Sequence, residues 1–522
     1  MMLRAAITLA WLAVAFAAQA GMVLNRGNLA EPGTLDPAKQ TLVGEYEIMS
    51  DMFVGLVAVS PEGLPIPGAA ESWSVSADGK TTTFKLRDGL MWSDGVKMTS
   101  EDFVYTFRRA LDPKAASPLA ELGAKIKNAL AVTTGKLPPT ALGVSAPDPK
   151  TFVVELSEPS PVLSWLLIQA VFWPVPKHVI EKHPSDWTKP GILVANGPFV
   201  LSEWRPHDHI TLKKNPRFYD AAKVKLDAVN YLPIDDTAAA VKRFRGGEID
   251  INMDFPAQDA ARLREVLPKG SVLTSPNIRI VYLTMNQTRA PFKDARVRRA
   301  LSLAVDREEL TGQILKLGET ANYALTPRGL PGYTQAEVDF KGWPMAQRRA
   351  EAVKLLAAAG YGTAKPLKIT LDHVGNQMQK RIGVAIADMM KQIGVIAELR
   401  SGDAPVHYAR IRVNDFDIGL AAWLQVPDPE FYTYLLLSTS KDLNNGYANA
   451  AFDAKHFEAA KVVDLPKRMA LFREAEAIAM KDSAIIPLYS AVNRSLVQPY
   501  VRGWVENPYA THPTRFLWLD KK

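Results

Sequence analysis

The sequence predicts a mixed α/β protein of about three domains, since its length suits several packed cores and its predicted strands alternate with helices at long intervals. The chain has 522 residues, of which 47% are hydrophobic and 22% charged. This composition is too apolar for a disordered chain and too polar for a polytopic membrane protein. Strands that alternate with helices favour lobes with mostly parallel sheets, which is the expectation here.

The first half of the chain carries clear local signals for its elements. Residues 81–86 alternate apolar and polar side chains after a turn, which predicts a strand in a hairpin. Thr99 and Asp102 have the spacing of a capping box and predict the start of a helix that Pro113 ends. Residues 151–156 predict another short strand.

The second half continues the alternation. Apolar residues at three- and four-residue spacing indicate helices, and short apolar runs indicate strands. Gly360 is expected to end the second of these helices. The predicted helices cover 296–310, 346–359 and 378–392, and the predicted strands cover 367–371 and 415–420.

Composition and motifs exclude several classes of function. The chain has no cysteine, which excludes a disulfide scaffold, an iron–sulfur cluster and a thiol nucleophile. Its net charge of +7 is weak evidence for nucleic acid, and no aromatic or basic-stripe motif supports such a partner. The usual hydrolase, metalloprotease and nucleotide-binding motifs are absent. The sequence therefore favours a binding protein without cofactor or metal over an enzyme.

Two polar motifs have structural interpretations. His207 and His209 could bind a metal, but no third ligand group is visible in the sequence, so a solvated loop is the preferred interpretation. Asp235 and Asp236 precede an alanine-rich segment and predict a helix N-cap.

The first twenty residues predict a cleavable export signal. Arg4 provides a positive start, 5–17 is apolar but short for a membrane span, and Ala18 and Ala20 form the pattern that signal peptidase recognises. We expect cleavage after Ala20 and a periplasmic mature protein, with an uncleaved membrane anchor as the alternative. The absence of cysteine excludes a bacterial lipoprotein anchor and suits an oxidising compartment.

A series of motifs runs in order along nearly the whole mature chain. It includes Leu35-Asp36-Pro37, Ala70-Glu71-Ser72-Trp73, Arg87-Asp88-Gly89-Leu90-Met91-Trp92-Ser93-Asp94-Gly95, Asn196-Gly197-Pro198-Phe199, Gly247-Glu248-Ile249-Asp250, Ala290-Pro291-Phe292-Lys293-Asp294 and Asp482-Ser483-Ala484-Ile485-Ile486-Pro487-Leu488-Tyr489. This series resembles the family 5 extracellular solute-binding proteins, which are the peptide-binding subunits of ABC importers. The likeness is nearest to the oligopeptide-binding (Opp-type) members.

The resemblance implies a type II periplasmic-binding-protein fold, in which two lobes close over a ligand and an extra domain is inserted in the first lobe. Transferred to this chain, lobe I covers 21–53, 179–280 and 491–522. The extra domain covers 54–178, and lobe II covers 281–490.

The same resemblance implies which residues line the cleft. In this family an extended peptide pairs its main chain with protein strands, so that hydrated pockets accept many side chains. An ordinary core aromatic is the alternative interpretation of the tryptophan in this set. The implied ligand-binding residues are Val43, Leu119, Gln169, Arg410, Arg412, Ala422, Trp423, Leu424, Gln425, Asp428, Asn444, Asn445 and Tyr489.

The motif after Trp423 departs from the family pattern. Peptide binders carry Trp-x-x-Asp-Tyr-x-Asp-Pro, and the first Asp accepts the ammonium group of the ligand. This chain is one residue shorter and has Val426 where that Asp is expected. Asp428 matches the second Asp, which is otherwise a turn residue. Either Asp428 moves to bind the amine, or the ligand has no free amine at this point, because a buried ammonium group without a carboxylate is costly.

The cations expected at the other end of the ligand are also replaced. Leu420 and Ile411 stand where the family has arginines, although Arg410 and Arg412 flank the second position and could substitute if they are not simply solvated. A third cation position is occupied by Gln379.

These observations predict a periplasmic solute-binding protein, expected to be a monomer, that delivers an oligopeptide or peptide-like ligand to the permease subunits of an ABC importer in the inner membrane. The altered clamp keeps a non-standard solute open as an alternative, such as a modified peptide, a cell-wall fragment, an opine-like conjugate or another amphipathic compound. A periplasmic hydrolase on the same scaffold and a chaperone-like role are more remote alternatives.

Overall fold

The computed structural model describes residues 21–423, 427–440, 443 and 445–521. The predicted export signal and its cleavage site at Ala20 lie outside the described residues. Within them, the helices are α1 Val43–Met52, α2 Ser100–Leu111, α3 Ala129–Thr133, α4 Leu163–Leu167, α5 Lys177–Ile180, α6 Thr237–Arg245, α7 Ala260–Val266, α8 Ala290–Lys293, α9 Ala295–Ala304, α10 Arg307–Glu309, α11 Met345–Ala358, α12 Gln377–Lys391, α13 Ala404–Arg412, α14 Pro429–Thr433, α15 Ala450–Ala460 and α16 Leu465–Lys481.

The strands in these residues fall into one large sheet and three small ones. They are β1 Val23–Asn28, β2 Val57–Val59, β3 Pro65–Pro67, β4 Ala70–Val75, β5 Thr81–Leu86, β6 Val144–Asp148, β7 Thr151–Glu155, β8 Phe199–Arg205, β9 His209–Lys214, β10 Ala228–Pro233, β11 Ile251–Asn252, β12 Val272–Met285, β13 Thr320–Ala321, β14 Leu367–Val374, β15 Val395–Gly402, β16 Ile418–Trp423, β17 Ile485–Val497, β18 Val501–Arg502 and β19 Trp518–Leu519.

The large sheet has the order β15-β14-β16-β12-β17-β11-β1-β10-β9-β8, with β13 beside β17. The expectation of mostly parallel sheets is wrong. Parallel pairing joins β1 to β10 and β11, and β14 to β15 and β16, whereas the other pairs in the described sheet are antiparallel. Helix α12 makes the crossover that parallel β14 and β15 require, but the long antiparallel pair β12 and β17 builds the centre, and the antiparallel strands β8, β9 and β10 form one edge.

A four-stranded antiparallel sheet, β4-β5-β7-β6, lies within the segment predicted as the extra domain. It has a separate core, in which Phe103 and Phe107 of α2 pack against Phe152 of β7. The predicted hairpin strand and the capped helix are confirmed here, since β5 and α2 occupy the expected positions and the Thr99 amide donates to Asp102 Oδ2 at 2.8 Å. The domain boundaries themselves stay a prediction.

Strands β12 and β17 connect two further cores. Their ends nearest Val497 pack with β1, β10 and α1, while their ends nearest Met285 and Ile485 pack with α9, α12 and β14. Polar residues occupy the passage between the cores, among them the buried Ser275 and Asn493. We call β12 and β17 the crossing strands, and the region beside their passage the candidate cleft.

Several elements begin or end elsewhere than predicted, and the strand expected over 367–371 extends to Val374. The helix expected over 296–310 ends at Ala304, because Asp306 caps a new short helix and the buried Arg307 donates to the Ser302 and Val305 carbonyls. The strand expected from residue 415 begins at Ile418.

A side chain explains the late start of β16. The Asn286 amide donates to the Asn414 and Phe416 carbonyls, which therefore do not join a strand ladder. Asp236 caps α6 as interpreted, and His207 lies in a turn with positive φ, but His209 is not in that loop, because it is the half-buried first residue of β9 and pairs with Arg205 of β8. Across the described residues, no helix combines the length and apolarity needed to cross a bilayer.

Candidate ligand-binding cleft

Trp423 ends strand β16 at the border of the candidate cleft. Residues 418–421 are buried, whereas Ala422 and Trp423 are half-buried. Antiparallel pairing with β12 sets Trp423 opposite Ile280, and its indole Nε1 donates to the Phe431 carbonyl at 3.0 Å. One edge of the indole is therefore fixed while part of its surface stays open. Leu424 and Gln425, also predicted to contact the ligand, lie outside the described residues.

Asp428 has a structural role that leaves it no capacity to bind an amine. It is buried, its Oδ1 accepts from the Glu430 amide at 2.9 Å as the cap of α14, and it forms a two-point ion pair with Arg468 at 2.6 and 2.8 Å. Because both oxygens are engaged, the hypothesis that Asp428 replaces the missing amine anchor is not supported. The alternative interpretation, a turn residue, describes its geometry.

The same ion pair continues into the four-stranded-sheet domain. Glu430 accepts from Arg468 at 2.6 Å and also from Lys125, which lies on the other side of the boundary between the two cores. Burial opposes the charge of Arg468, but its hydrogen bonds with Asp428 outweigh that effect and raise the pKa of Arg468. Phe431 packs on the core of the four-stranded sheet. We call Lys125, Asp428, Glu430 and Arg468 the ion network; through α14 it adjoins Trp423.

His456 is buried beneath the ion network, with its Nδ1 2.9 Å from Thr433 Oγ1. Burial lowers the pKa of His456 to about 4, and the charges of Lys125 and Arg468 act in the same direction against the opposing Asp428 and Asp453. The imidazole is therefore neutral at physiological pH and cannot bind an anion there.

We predict that His456 makes the protein less stable as pH falls from about 6.5 to about 4. The unfolded chain takes up a proton with a pKa near 6.5, whereas the folded chain does so only near pH 4. Between pH 7 and pH 5 the free energy of unfolding should fall by about 2 kcal/mol more in the native chain than in a His456→Gln variant. Urea titrations at both pH values measure the difference. His183→Gln, at an exposed histidine, is the matched control, and equal slopes for the native chain and His456→Gln would contradict the prediction.

Two other predicted cleft residues are largely internal. Asn445 is buried; its side chain donates to the Ala484 carbonyl at 3.3 Å and accepts from the Tyr447 amide at 3.0 Å. Asn445 therefore shapes a loop and does not present its amide to a ligand, and its neighbour Asn444 lies outside the described residues. Tyr489 is also buried, on β17 opposite Val281, so only an edge of its ring can border the cleft.

Three predicted residues lie on elements outside the core that Trp423 packs against. Val43 is 62% exposed at the start of α1. Leu119 is half-buried and packs on the core of the four-stranded sheet, and Gln169 is half-buried with its backbone in a turn at the end of α4. These positions are compatible with ligand contact, which stays a prediction.

The predicted cations lie on α13 and differ in their surroundings. The Nη1 of Arg410 is 3.6 Å from the buried Asp372, which Arg400 also pairs with, whereas Arg412 is exposed. Being two residues apart on a helix, Arg410 and Arg412 do not share a face.

The substituted positions are internal as well. Leu420 and Ile411 are buried, and Gln379 accepts from the Val374 amide at 2.8 Å. At the three positions where cations were expected, this chain therefore has two side chains packed in the core and one that makes a local hydrogen bond.

One exposed cation near Trp423 was missed by the sequence analysis. Arg279 immediately precedes Ile280, the strand partner of Trp423, and its side chain is exposed between two buried neighbours, Ile278 and Ile280. A charged residue between two isoleucines is the sequence signal that could have identified it. In the part of the chain that the structure describes, no three His, Asp or Glu side chains form a group that could hold a metal ion.

Comparisons with known proteins agree with this geometry. The model of "Bacterial extracellular solute-binding proteins, family 5 Middle" matches residues 65–444. The chain is 36% identical to the periplasmic oligopeptide-binding protein OppA of Escherichia coli K12, over 95% of this chain and 92% of that protein. It is also 36% identical to the probable deoxycholate-binding periplasmic protein YgiS of the same strain, over 93% and 91%. The structure of the E. coli murein tripeptide binding protein MppA superposes with a TM-score of 0.82 at 34% identity, covering 96% of this chain and 99% of that one. These likenesses confirm the type II fold with two lobes and an inserted domain.

Proposed function

The chain belongs to the family 5 bacterial extracellular solute-binding proteins, and from this premise we propose that it captures an oligopeptide or peptide-like ligand between its two lobes. It then delivers that ligand to the membrane permease of an ABC importer. The observation that carries this proposal is the likeness along nearly the whole chain to a protein named for oligopeptides and to one named for a murein tripeptide.

The geometry at the end of β16 supports this function. An extended peptide can add to an open strand end with main-chain hydrogen bonds that do not depend on its sequence. Ala422 and Trp423 are the half-buried residues of β16, and they lie beside the crossing strands that join the two lobes. Lobe closure around such a ligand would bend the crossing strands, which connect the two cores.

The cellular location follows from the same family. The relatives named above are periplasmic proteins, and the predicted signal over residues 1–20 would export this chain to that compartment. We propose a monomeric mature protein that begins after Ala20. Its action is binding and release, without a catalytic step.

Native mass spectrometry of protein purified from a periplasmic extract tests the proposal. We expect a series of co-purified masses that tandem fragmentation assigns to peptides, and stoichiometric rebinding of short peptides by the stripped protein. A single non-peptidic mass together with no rebinding of a peptide pool would contradict the peptide ligand. Cleavage of that pool would contradict a purely binding role.

A further inference from the structure

We propose that Arg279 binds an anionic group of the ligand, of the carboxylate class, at the end of the cleft beside Trp423. This proposal rests on the proposed function and specifies its ligand. The position is notable because the family pattern expects a carboxylate for a ligand ammonium group shortly after Trp423, at the position where this chain has Val426. The inferred ligand therefore has no free amine there and presents a negative charge instead.

A bulge in strand β12 directs Arg279 out of the sheet. Pro276 pairs with Val492 and Ile280 with Ser490, so four steps along β12 match two steps along β17. The two extra residues of β12 interrupt its hydrogen-bond ladder with β17 where the crossing strands pass between the lobes. Bulges of this kind re-aim a side chain and are common beside binding sites. Here the bulge leaves Arg279 exposed.

The bulge is fixed by contacts from three directions. The Arg279 amide donates to Asn277 Oδ1 at 2.6 Å, and Asn277 in turn donates to Asn493 of β17. The Tyr432 hydroxyl donates to the Ile278 carbonyl at 2.7 Å, which ties the bulge to α14. The backbone of Arg279 is therefore held in place although its side chain is exposed. A backbone that is already ordered reduces the entropy lost when the side chain binds a ligand.

The guanidinium of Arg279 makes no ion pair with any described residue, whereas two acids in this region are already paired. Asp254 pairs with Arg494 at 2.7 Å, and Asp428 is held by Arg468. Glu319, which lies near Tyr489, accepts from the Leu317 amide at 3.0 Å and makes no ion pair with Arg279. Arg279 therefore has no paired acid at the border of the candidate cleft beside Trp423.

Two tyrosines show how close this charge lies to the cleft. Burial raises the pKa of both Tyr408 and Tyr489, and the positive charge of Arg279 opposes the rise in each case. The Tyr408 hydroxyl is hydrogen-bonded to the backbone of Ala422. The positive charge of Arg279 therefore lies near both tyrosines, beside the half-buried end of β16, where a ligand would pair.

The chemistry of the side chain selects the ligand group. A guanidinium forms two parallel hydrogen bonds with a carboxylate, which gives direction as well as attraction. An ammonium group at the same place would be repelled by the guanidinium, which no acid among the described residues pairs with. A carboxylate could belong to an acylated peptide or to a non-peptidic amphiphile, and the experiment must separate these sources.

Isothermal titration calorimetry with four probes tests the proposal: Ala-Ala-Ala, N-acetyl-Ala-Ala-Ala, N-succinyl-Ala-Ala-Ala and deoxycholate. The native chain should bind the succinylated peptide at least about tenfold more tightly than the free-amine peptide. Arg279→Gln should remove that preference while binding the acetylated peptide unchanged. The exposed Arg245→Gln serves as the matched control, and circular dichroism confirms that both variants fold.

The outcomes distinguish this proposal from the proposed function. Peptide binding with an unchanged succinyl preference in Arg279→Gln, or with a preference for the free amine in the native chain, overturns the anion site alone. Binding of deoxycholate but of no peptide, lost in Arg279→Gln, supports the anion site and overturns the peptide ligand. Binding of none of the four probes overturns both.

Discussion

Replacing Arg468 with Met should lower the free energy of unfolding by about 3–5 kcal/mol, because the substitution leaves the buried Asp428 without a cation and Glu430 with Lys125 alone. The Arg468 side chain is fully buried, and it donates to Asp428 at 2.6 and 2.8 Å and to Glu430 at 2.6 Å. Lys125 reaches only Glu430, so Asp428 would lose its ion pair completely. The expected loss is large because a stranded buried charge costs more than an exposed ion pair contributes.

Urea titration followed by tryptophan fluorescence measures this loss. Arg502→Met is the matched control, since Arg502 pairs with Asp520 on the surface and should contribute less than about 1 kcal/mol. A double variant that adds Asp428→Asn should recover part of the stability, because it removes the one carboxylate left without a cation while Glu430 keeps its ion pair with Lys125. A loss below about 1 kcal/mol for Arg468→Met would show that water reaches the ion network and would contradict its buried character.

The sequence predicts elements of this fold well where the signal is local. The hairpin strand β5 follows from alternation after a turn, and the start of α2 follows from the spacing of Thr99 and Asp102. The direction of strand pairing could not be predicted in the same way. The central strands pair residues as distant as Ile280 and Trp423, and no local pattern encodes such a partner.

In the candidate site, too, local features could be predicted from the sequence and contacts between distant residues could not. The proline after Asp428 indicates a helix cap, and the structure has that cap, but the partner of its carboxylate is 40 residues away at Arg468. Without that partner the sequence could not tell a free acid from a paired one. Arg279 was missed because its exposure depends on a bulge, which is a mismatch between two strands and not a property of either.

The ion network also links the cleft to the inserted domain. Trp423 donates to the Phe431 carbonyl, and Phe431 follows Glu430 on α14, which Lys125 holds from the four-stranded-sheet side. A ligand that moves Trp423 would therefore displace α14 and strain the bridge between the two cores. In this way the Trp423 side chain, which we propose contacts the ligand, is connected through α14 to the boundary between the two cores.

Trp423→Ala should weaken ligand binding by roughly 2–4 kcal/mol, as tryptophans in the centre of interfaces commonly do, and should change the melting temperature little. The indole is half-buried and its one hydrogen bond, to Phe431, fixes its orientation in the candidate cleft. Trp423→Phe keeps the aromatic face and should retain most of the affinity. Trp204→Ala removes a half-buried tryptophan that packs on the core around β1 and β10 and is the control for general loss of packing.

Calorimetric titration of the co-purified ligand into each stripped variant measures the affinity, and differential scanning calorimetry measures stability. If Trp423 were an ordinary core aromatic, Trp423→Ala would unfold at a much lower temperature, and its folded fraction would bind with native affinity. The burial gradient along β16 argues against that result, because the strand is buried through Ala421 and opens at Ala422 and Trp423. An aromatic ring that is fixed at one edge and otherwise accessible loses its contact with water when a ligand binds against it. Its removal should therefore lower ligand affinity more than it lowers folding stability.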